Sequence, residues 1–288
     1  MALLKDIKDN FYINLSAHYD KGEIDHIFFA LTEAYLGYSK IDYLNKQNEV
    51  LEENIQQQFH EALQRLERDE PLQYVVGKAW FLGRPYEVNK SVLIPRPETE
   101  ELVDLIIRDT KGQSGSLRMI DIGTGSGCIP ISLKLQFPEA VVSGVDISRE
   151  ALEVAKKNAY RYEAAVNFML MDILEWDSVF MNEQCYDVIV SNPPYITPDE
   201  KVAMHPNVLQ YEPHMALFVE GQAPLLFYET IASFGLSHLR AGGKLYFEIN
   251  KNYGTQVCDL LRKKGYKHVE LIQDMQGADR IVRALLEA

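Results

Sequence analysis

From residue 117 onward the chain alternates short apolar runs with helical segments, and this alternation limits its fold more than any other feature. The runs fall at 117–122, 141–145, 166–170, 186–191, 244–249 and 268–272. Helical segments begin near Gly127, Ser148, Pro224 and Thr255. Parallel strands need a crossover to bring the chain back, and a helix is the usual one. The expectation is an α/β domain with a mostly parallel sheet. Ligands of such sheets bind in the crevice at the carboxyl ends of the strands. No internal repeat or low-complexity tract interrupts the pattern.

The chain has 288 residues, of which 47% are hydrophobic, enough for a sizeable core. Its net charge of -13 argues against unaided binding to a nucleic-acid backbone, which rests on Lys and Arg neutralising phosphates. Cys128, Cys185 and Cys258 show neither CxxC nor Cys/His spacing, so reduced thiols are expected, with no disulfide framework and no metal site. The first residues, Met-Ala-Leu-Leu-Lys-Asp, acquire charge too early for a signal peptide, and no apolar run reaches the length of a membrane span. A soluble, cytoplasmic protein is expected.

Residues 1–75 read as a small helical bundle. Ile24, Ile27, Phe28, Leu31 and Tyr35 recur at helical spacing, as do Leu51, Ile55, Phe59, Leu63 and Leu66, with Gly22 and Gly37 as punctuation. A packing or dimerisation domain and a partner-docking domain both fit. Residues 76–98 read as a β-hairpin connector with Gly83-Arg84-Pro85 between its two arms. Glu98 or Thr99 then caps a helix from about Glu100 to Arg108, and Lys111–Ser116 form a flexible loop. Residues 99–288 make up the α/β domain.

The first strand runs into Asp121-Ile122-Gly123-Thr124-Gly125-Ser126-Gly127-Cys128. Glycines here allow a tight turn and close backbone approach to a ligand. The dinucleotide fingerprint is G-x-G-x-x-G. This loop is G-x-G-x-G and is led by an acid, which would repel a pyrophosphate but welcome a cationic amino acid. S-adenosyl-L-methionine (SAM), with its ammonium and sulfonium, fits. Asp146, about 20 residues beyond the loop, is placed to accept both ribose hydroxyls. Asp172, with Ile173 beside it, is placed to meet the adenine amine. Either Asp would also serve as a cap for the segment that follows it.

Asn192-Pro193-Pro194-Tyr195 leaves the fourth strand beside the same crevice. The prolines remove two N–H donors, so the backbone presents mostly carbonyls. Asn192 Oδ1 and the Pro193 carbonyl can accept the two protons of a planar NH2 group, and Tyr195 offers a flat face. With SAM next to it, the chemistry is methyl transfer to a planar nitrogen. A nucleobase amine and a side-chain amide both qualify.

Several segments together resemble the PrmC/HemK family, the peptide chain release factor N(5)-glutamine methyltransferases. Arg68-Asp69-Glu70-Pro71-Leu72-Gln73-Tyr74 with Gly77 is similar to the family's R-x-x-E-P-x-x-Y-x-x-G segment. Phe81, Gly83 and Leu93–Glu100 are similar to its connector, and Leu93–Glu100 is the most specific match. Asp121–Gly127, Asp146 and Asn192–Tyr195 match its cofactor and substrate motifs. Glu248 with Gly254, and Asp279-Arg280-Ile281-Val282, resemble its last two segments. The resemblance covers nearly the whole chain.

It implies a SAM-dependent, Rossmann-like methyltransferase fold with a seven-stranded sheet whose last strand is antiparallel. It implies methylation of the glutamine in the Gly-Gly-Gln motif of class-1 release factors, with S-adenosyl-L-homocysteine as product. The N-terminal bundle would dock the factor, and the enzyme would work as a monomer without metal, nucleic acid or membrane. By the same resemblance Gly123–Gly127, Asp146, Ile173 and Asn192 line the SAM site, and Asn192, Pro193, Pro194 and Tyr195 hold the glutamine.

There are departures. Asn250 stands for the family's glycine, Tyr253 for its glutamine, and Ala278 where a glycine is often found. Glu248 reads as a structural carboxylate rather than a base. Arg96 and Glu98 either close over the cofactor or pair with each other, and His205 and His214 receive no role. Two rivals remain: an adenine-N6 DNA/RNA methyltransferase, which the acidity disfavours, and a non-catalytic SAM-fold adaptor, which the intact loop and Asn192 disfavour.

Overall fold

The computed structural model describes residues 2–113, 116–179, 185–204, 206–219 and 223–287. They form two units, Met1–Lys78 with His205–Tyr211, and Ala79–Met204 with Glu212–Ala288.

The first unit contains α1 (Leu4–Leu15), α2 (Lys21–Leu36), α3 (Lys40–Lys46), α4 (Glu53–Leu66) and α5 (Leu72–Val76). The spaced apolar residues of α2 and α4 turn inward, and Phe11, Phe28 and Phe59 meet at its centre. Phe11 meets Phe28 edge-on at 5.8 Å, and Phe28 stacks on Phe59 at 5.9 Å. Such pairs add about 0.5–1.5 kcal/mol beyond their buried area. Gly37 ends α2 in the left-handed region at φ 67°. Gly22, read as punctuation, lies instead inside the first turn of α2. The break is made by Asp20, which accepts from the Glu23 N–H while Glu23 accepts from the Asp20 N–H. In the Arg68–Gly77 segment the buried Glu70 is held by the Arg65 fork, at 2.8 and 3.0 Å.

A two-stranded hairpin follows, β1 (Lys78–Phe81) and β2 (Arg84–Glu87). The sequence pattern placed Gly83-Arg84-Pro85 in the turn. The structure turns one residue earlier, at Leu82-Gly83, with φ of 47° and 72°. A two-residue hairpin turn of this hand needs positive φ at both positions. Gly83 accepts it freely, Leu82 is carried along, and Arg84 and Pro85 join the strand.

The α/β unit continues with α6 (Pro97–Thr110), β3 (Arg118–Ile122), α7 (Cys128–Gln136), β4 (Val141–Asp146), α8 (Arg149–Arg161) and β5 (Val166–Leu170). Then come α9 (Trp176–Val179), β6 (Tyr186–Ser191), α10 (Pro206–Tyr211, part of the first unit), α11 (His214–Leu217) and α12 (Leu226–His238). The chain closes with β7 (Leu239–Glu248), α13 (Gly254–Lys264), β8 (Lys267–Gln273) and β9 (Asp279–Leu285). The seven-stranded sheet has the order β5-β4-β3-β6-β7-β9-β8. Only β9 runs against its neighbours, pairing antiparallel with both β7 and β8. The mostly parallel sheet and the antiparallel last strand agree with the expectation. Helices cover both faces, so β3 and β6 are buried nearly throughout.

Two boundaries differ from the sequence pattern. β7 starts at Leu239, not near residue 244. Leu239 pairs with Tyr186, then the register shifts before Val188 meets Lys244. The Gly242-Gly243 pair in between conceals this strand start in the sequence. Likewise α6 begins at Pro97, and neither Glu98 nor Thr99 caps it. Proline at the first helical position loses nothing, because its missing N–H would have no partner there. Of the 111–116 loop, Ser114 and Gly115 lie outside the described residues.

One packing contact makes a stability prediction. A Cβ added at Gly235 in α12 would lie 2.2 Å from the Tyr266 hydroxyl, which donates to the Ala232 carbonyl at 2.8 Å. Tyr266 is fully buried. Gly235→Ala is therefore expected to destabilise the protein by about 2–3 kcal/mol, through overpacking and a lost hydrogen bond, despite alanine's better helix propensity. Denaturant unfolding measures it.

Candidate functional site

The site lies where β3, β4, β5 and β6 end. Adjacent parallel strands finish at one level, so the loops that leave them are neighbours. Gly123 N–H donates to the Val145 carbonyl at 2.9 Å, joining the ends of β3 and β4. Met171 N–H donates to the Asp146 carbonyl at 2.9 Å, joining β5. Ser191 Oγ donates to the Ile122 carbonyl at 2.6 Å, joining β6. Gly123, Gly125 and Gly127 all take positive φ, at 78°, 54° and 79°. At Gly127 a Cβ would also sit 3.0 Å from Ala155 Cβ, so the loop can fold back against α8 only without one.

Asp121 is 1% exposed, and neither of its carboxylate oxygens has a partner. The buried Thr124 Oγ1 is likewise unpartnered. Burial pushes the Asp121 carboxyl up to about 7; the nearby Thr124 hydroxyl opposes the rise without completing a hydrogen bond, and the Asp146 carboxylate adds to it. A buried carboxylate with no donor is costly. Orphaned acceptors beneath a glycine loop are what a cationic ligand group would satisfy, so the residues present fit SAM's ammonium. Among the described residues no group of three His, Cys, Asp or Glu side chains is arranged to hold a metal.

Asp146 is half-buried, and its carboxyl is raised by burial against the opposing effect of backbone donors. Its Oδ2 accepts from Gly125 N–H at 2.8 Å and its Oδ1 from Ser148 N–H at 2.9 Å. It thus buttresses both the glycine loop and the start of α8, and each oxygen keeps a further lone pair. Asp172 caps the short turn Ile173–Glu175, accepting from Leu174 N–H at 2.8 Å. Ile173 is buried behind it. Asp172 therefore caps the segment that follows it, whereas α8 is capped by Ser148 and Asp146 braces only the turn before it.

Asn192 follows β6, and a Cβ on Gly123 would reach its backbone carbonyl at 4.0 Å. Asn192 Nδ2 donates to Thr99 Oγ1 at 3.2 Å, and Thr99 Oγ1 donates to Glu248 Oε2 at 2.6 Å. Tyr195 Oη donates to Glu248 Oε1 at 3.3 Å. Glu248 is 1% exposed. Burial pushes its carboxyl up to about 7, with Glu98 adding to the rise and the Thr99 hydroxyl and Arg280 opposing it. The Tyr195 phenol is raised above its ordinary value by burial and by the Glu248 charge, so it stays neutral.

The sequence pattern missed Thr99, which was read as a helix cap. It is the third residue of α6, buried and turned toward the end of β7. The signal lay in the run Leu93–Glu100, whose specificity exceeds what a helix start requires. Arg96 does not pair with Glu98. It binds Glu212 Oε1 at 2.5 Å, and Glu212 Oε2 also accepts from Ile94 N–H. Glu212 is 3% exposed, and a carboxylate so buried needs this cation. Asn250 is more than a tolerated departure. Its Nδ2 reaches the Tyr195 carbonyl at 3.3 Å and both Glu200 oxygens at 3.0 and 2.9 Å. His205 lies outside the described residues.

Comparison with known proteins gives two family matches. Residues 113–284 match the profile of a methyltransferase domain, and residues 16–77 that of the PrmC N-terminal domain. The release factor glutamine methyltransferase of Flavobacterium psychrophilum is 41% identical over 284 residues, 98% of each chain. That of Bacteroides thetaiotaomicron is 45% identical over 249 residues, 86% of this chain and 88% of its own. Among solved structures, a methyltransferase from Pyrococcus furiosus superposes with a TM-score of 0.52 at 20% identity, over 72% of this chain and 91% of its own, a likeness of fold.

Proposed function

This chain belongs to the release factor glutamine methyltransferase family, and on that premise we propose how it works. It transfers a methyl group from SAM to the side-chain amide nitrogen of the glutamine in the Gly-Gly-Gln motif of class-1 peptide chain release factors. The observation that carries this reading is the Asn192 amide. Its NH2 is engaged by Thr99, and among the described residues no hydrogen bond uses its Oδ1. A neutral acceptor beside the glycine loop suits a neutral NH2 donor.

When bound, SAM supplies a methyl group on a positively charged sulfur that leaves readily. The protein's task is the nitrogen, whose lone pair is delocalised into its carbonyl. Amide resonance is strong, as the rotation barrier of about 18–20 kcal/mol shows. Holding the reactants in a near-attack geometry can supply about 7–11 kcal/mol. A general base contributes only about 10²–10⁴-fold. Positioning therefore dominates. Asn192 Oδ1 and the Pro193 carbonyl accept the two amide protons and stabilise positive charge as it develops on nitrogen. Pro194 keeps the turn rigid and Tyr195 lies against the amide plane. The C–N bond forms as the S–C bond breaks, and one amide proton leaves to solvent.

On the cofactor side, Asp121 with Thr124 answers the ammonium, and Gly123, Gly125, Ser126 and Gly127 bring backbone close. Asp146 takes the ribose hydroxyls, and Asp172 the adenine amine with Ile173 against the ring. Residues 1–75 dock the release factor, 76–98 connect, and 99–288 catalyse, as a cytoplasmic monomer that needs no metal. No described helix is long and apolar enough to cross a membrane.

The test offers the full chain methyl-labelled SAM with a release factor, with its Gly-Gly-Gln→Gly-Gly-Ala variant, and with adenine-containing DNA. Label on the intact factor alone, placed on the glutamine side chain by mass spectrometry, is expected. An unlabelled factor, or equal labelling of the alanine variant, overturns the proposal.

A further inference from the structure

We propose that Thr99 and Glu248 are positioning residues that fix which end of the Asn192 amide faces the substrate. The inference rests on the function proposed above and adds two residues that act through Asn192 and Tyr195.

The physical case is a count of protons. A carboxylate only accepts hydrogen bonds. Thr99 has one hydroxyl proton, and Glu248 Oε2 takes it at 2.6 Å, a length typical of a hydroxyl on a carboxylate. Thr99 Oγ1 then has only lone pairs to offer Asn192 at 3.2 Å. Were the Asn192 amide reversed, two oxygens would face each other with no proton between them. Only the NH2 end satisfies Thr99, so Oδ1 is the end kept for the substrate. A reversed amide would instead set NH2 against NH2 and repel the group to be methylated.

The fold holds all three residues to this. β6 and β7 are parallel neighbours with Ser191 opposite Phe247, so Asn192 and Glu248 leave the sheet side by side. Thr99 arrives from the first turn of α6 and is 4% exposed. Glu248 is fixed in turn by the Tyr195 hydroxyl on its other oxygen. The charged groups around it are Glu98 and Arg280, of opposite sign. One carboxylate therefore orients two substrate-facing side chains, Asn192 through Thr99 and Tyr195 directly.

The test compares Thr99→Val, which keeps the shape without the hydroxyl, with Thr99→Ser, which keeps the hydroxyl. Both are measured in the full-length protein at pH 8. NMR reads the Asn192 side-chain amide, identified by its loss in Asn192→Asp, in protein without SAM. The Thr99-bonded proton should be slow to exchange in the parent and in Thr99→Ser, and fast in Thr99→Val. With SAM and release factor, Thr99→Val should lose about 100-fold in kcat, the scale of a misplaced reacting group, while SAM affinity holds. Thr99→Ser should recover most of the rate. Should Thr99→Val not fold, Glu248→Gln replaces it, because a neutral amide can donate to Thr99 and release Asn192. The same losses are expected. An unchanged Asn192 amide signal, a kcat within twofold of the parent, or a Thr99→Ser as impaired as Thr99→Val overturns the inference. If the parent itself transfers no methyl to the factor, the proposed function falls, and the amide signal still decides the relay.

Discussion

Asn192→Ala is expected to lower kcat for glutamine methylation by about 10²–10³-fold, the cost of removing one preorganised group aimed at developing charge. SAM affinity should change little. The glycine loop, Asp121 and Asp146 remain, and the Asn192 carbonyl near Gly123 belongs to the backbone. The loss should appear in single-turnover rates at saturating SAM, with calorimetry showing binding retained. Truncation also leaves Thr99 Oγ1 without its donor, but that oxygen still donates to Glu248, so the fold should survive. Near-normal turnover with SAM bound would remove Asn192 from the mechanism.

Asp121→Asn should separate stability from function. Asp121 is buried with no completed hydrogen bond, and its carboxyl is raised from an ordinary 3.8 to about 7 by burial, against the Thr124 hydroxyl and with Asp146 adding to the rise. Below the unfolded value both states hold the proton, and the side chain costs nothing through ionisation. As pH rises from there to about 7, the unfolded chain has released its proton while the folded chain retains it. Stability therefore falls across that window, and the loss levels off above about pH 7, where both states are ionised. Asparagine does not titrate. The variant's stability relative to the parent should shift in its favour by roughly 3 kcal/mol between pH 5 and pH 8, at about 1.36 kcal/mol per pH unit. Over the same change SAM affinity should fall by about 10²–10³-fold at pH 8, as when one partner of a buried ion pair is removed. Denaturant melts at the two pH values and SAM calorimetry measure both. A parent and variant whose stabilities track each other with pH would show that Asp121 stays ionised at no cost.

Much of the fold is legible in the residues because the signals are local. Runs such as Tyr186–Ser191 are long, apolar and bounded, so their strand state needs no tertiary information. The helical spacing of Ile24, Ile27, Phe28 and Leu31 predicts a buried stripe, and those residues are buried. Signals that fail are those with two local explanations. Gly242-Gly243 sits inside β7, in the bulge where pairing with β6 jumps from Leu239 to Lys244, and both glycines bond to the backbone of Leu286, next to β9. Gly22 reads as a break, but Asp20 two residues earlier makes it.

The sequence alone determined the chemistry on offer. An acid-led glycine loop, strand-end acids and Asn192-Pro193-Pro194-Tyr195 each need only short-range order to define their donors and acceptors. Tertiary structure alone decided how those groups are oriented. Thr99 and Glu248 are 149 positions apart, and Arg96 and Glu212 are 116 apart. No local pattern records that a threonine in a helix start will give its single proton to a carboxylate at the end of a distant strand. That proton sets the sense of the Asn192 amide, because hydrogen-bond direction depends on which partner has a proton left to give.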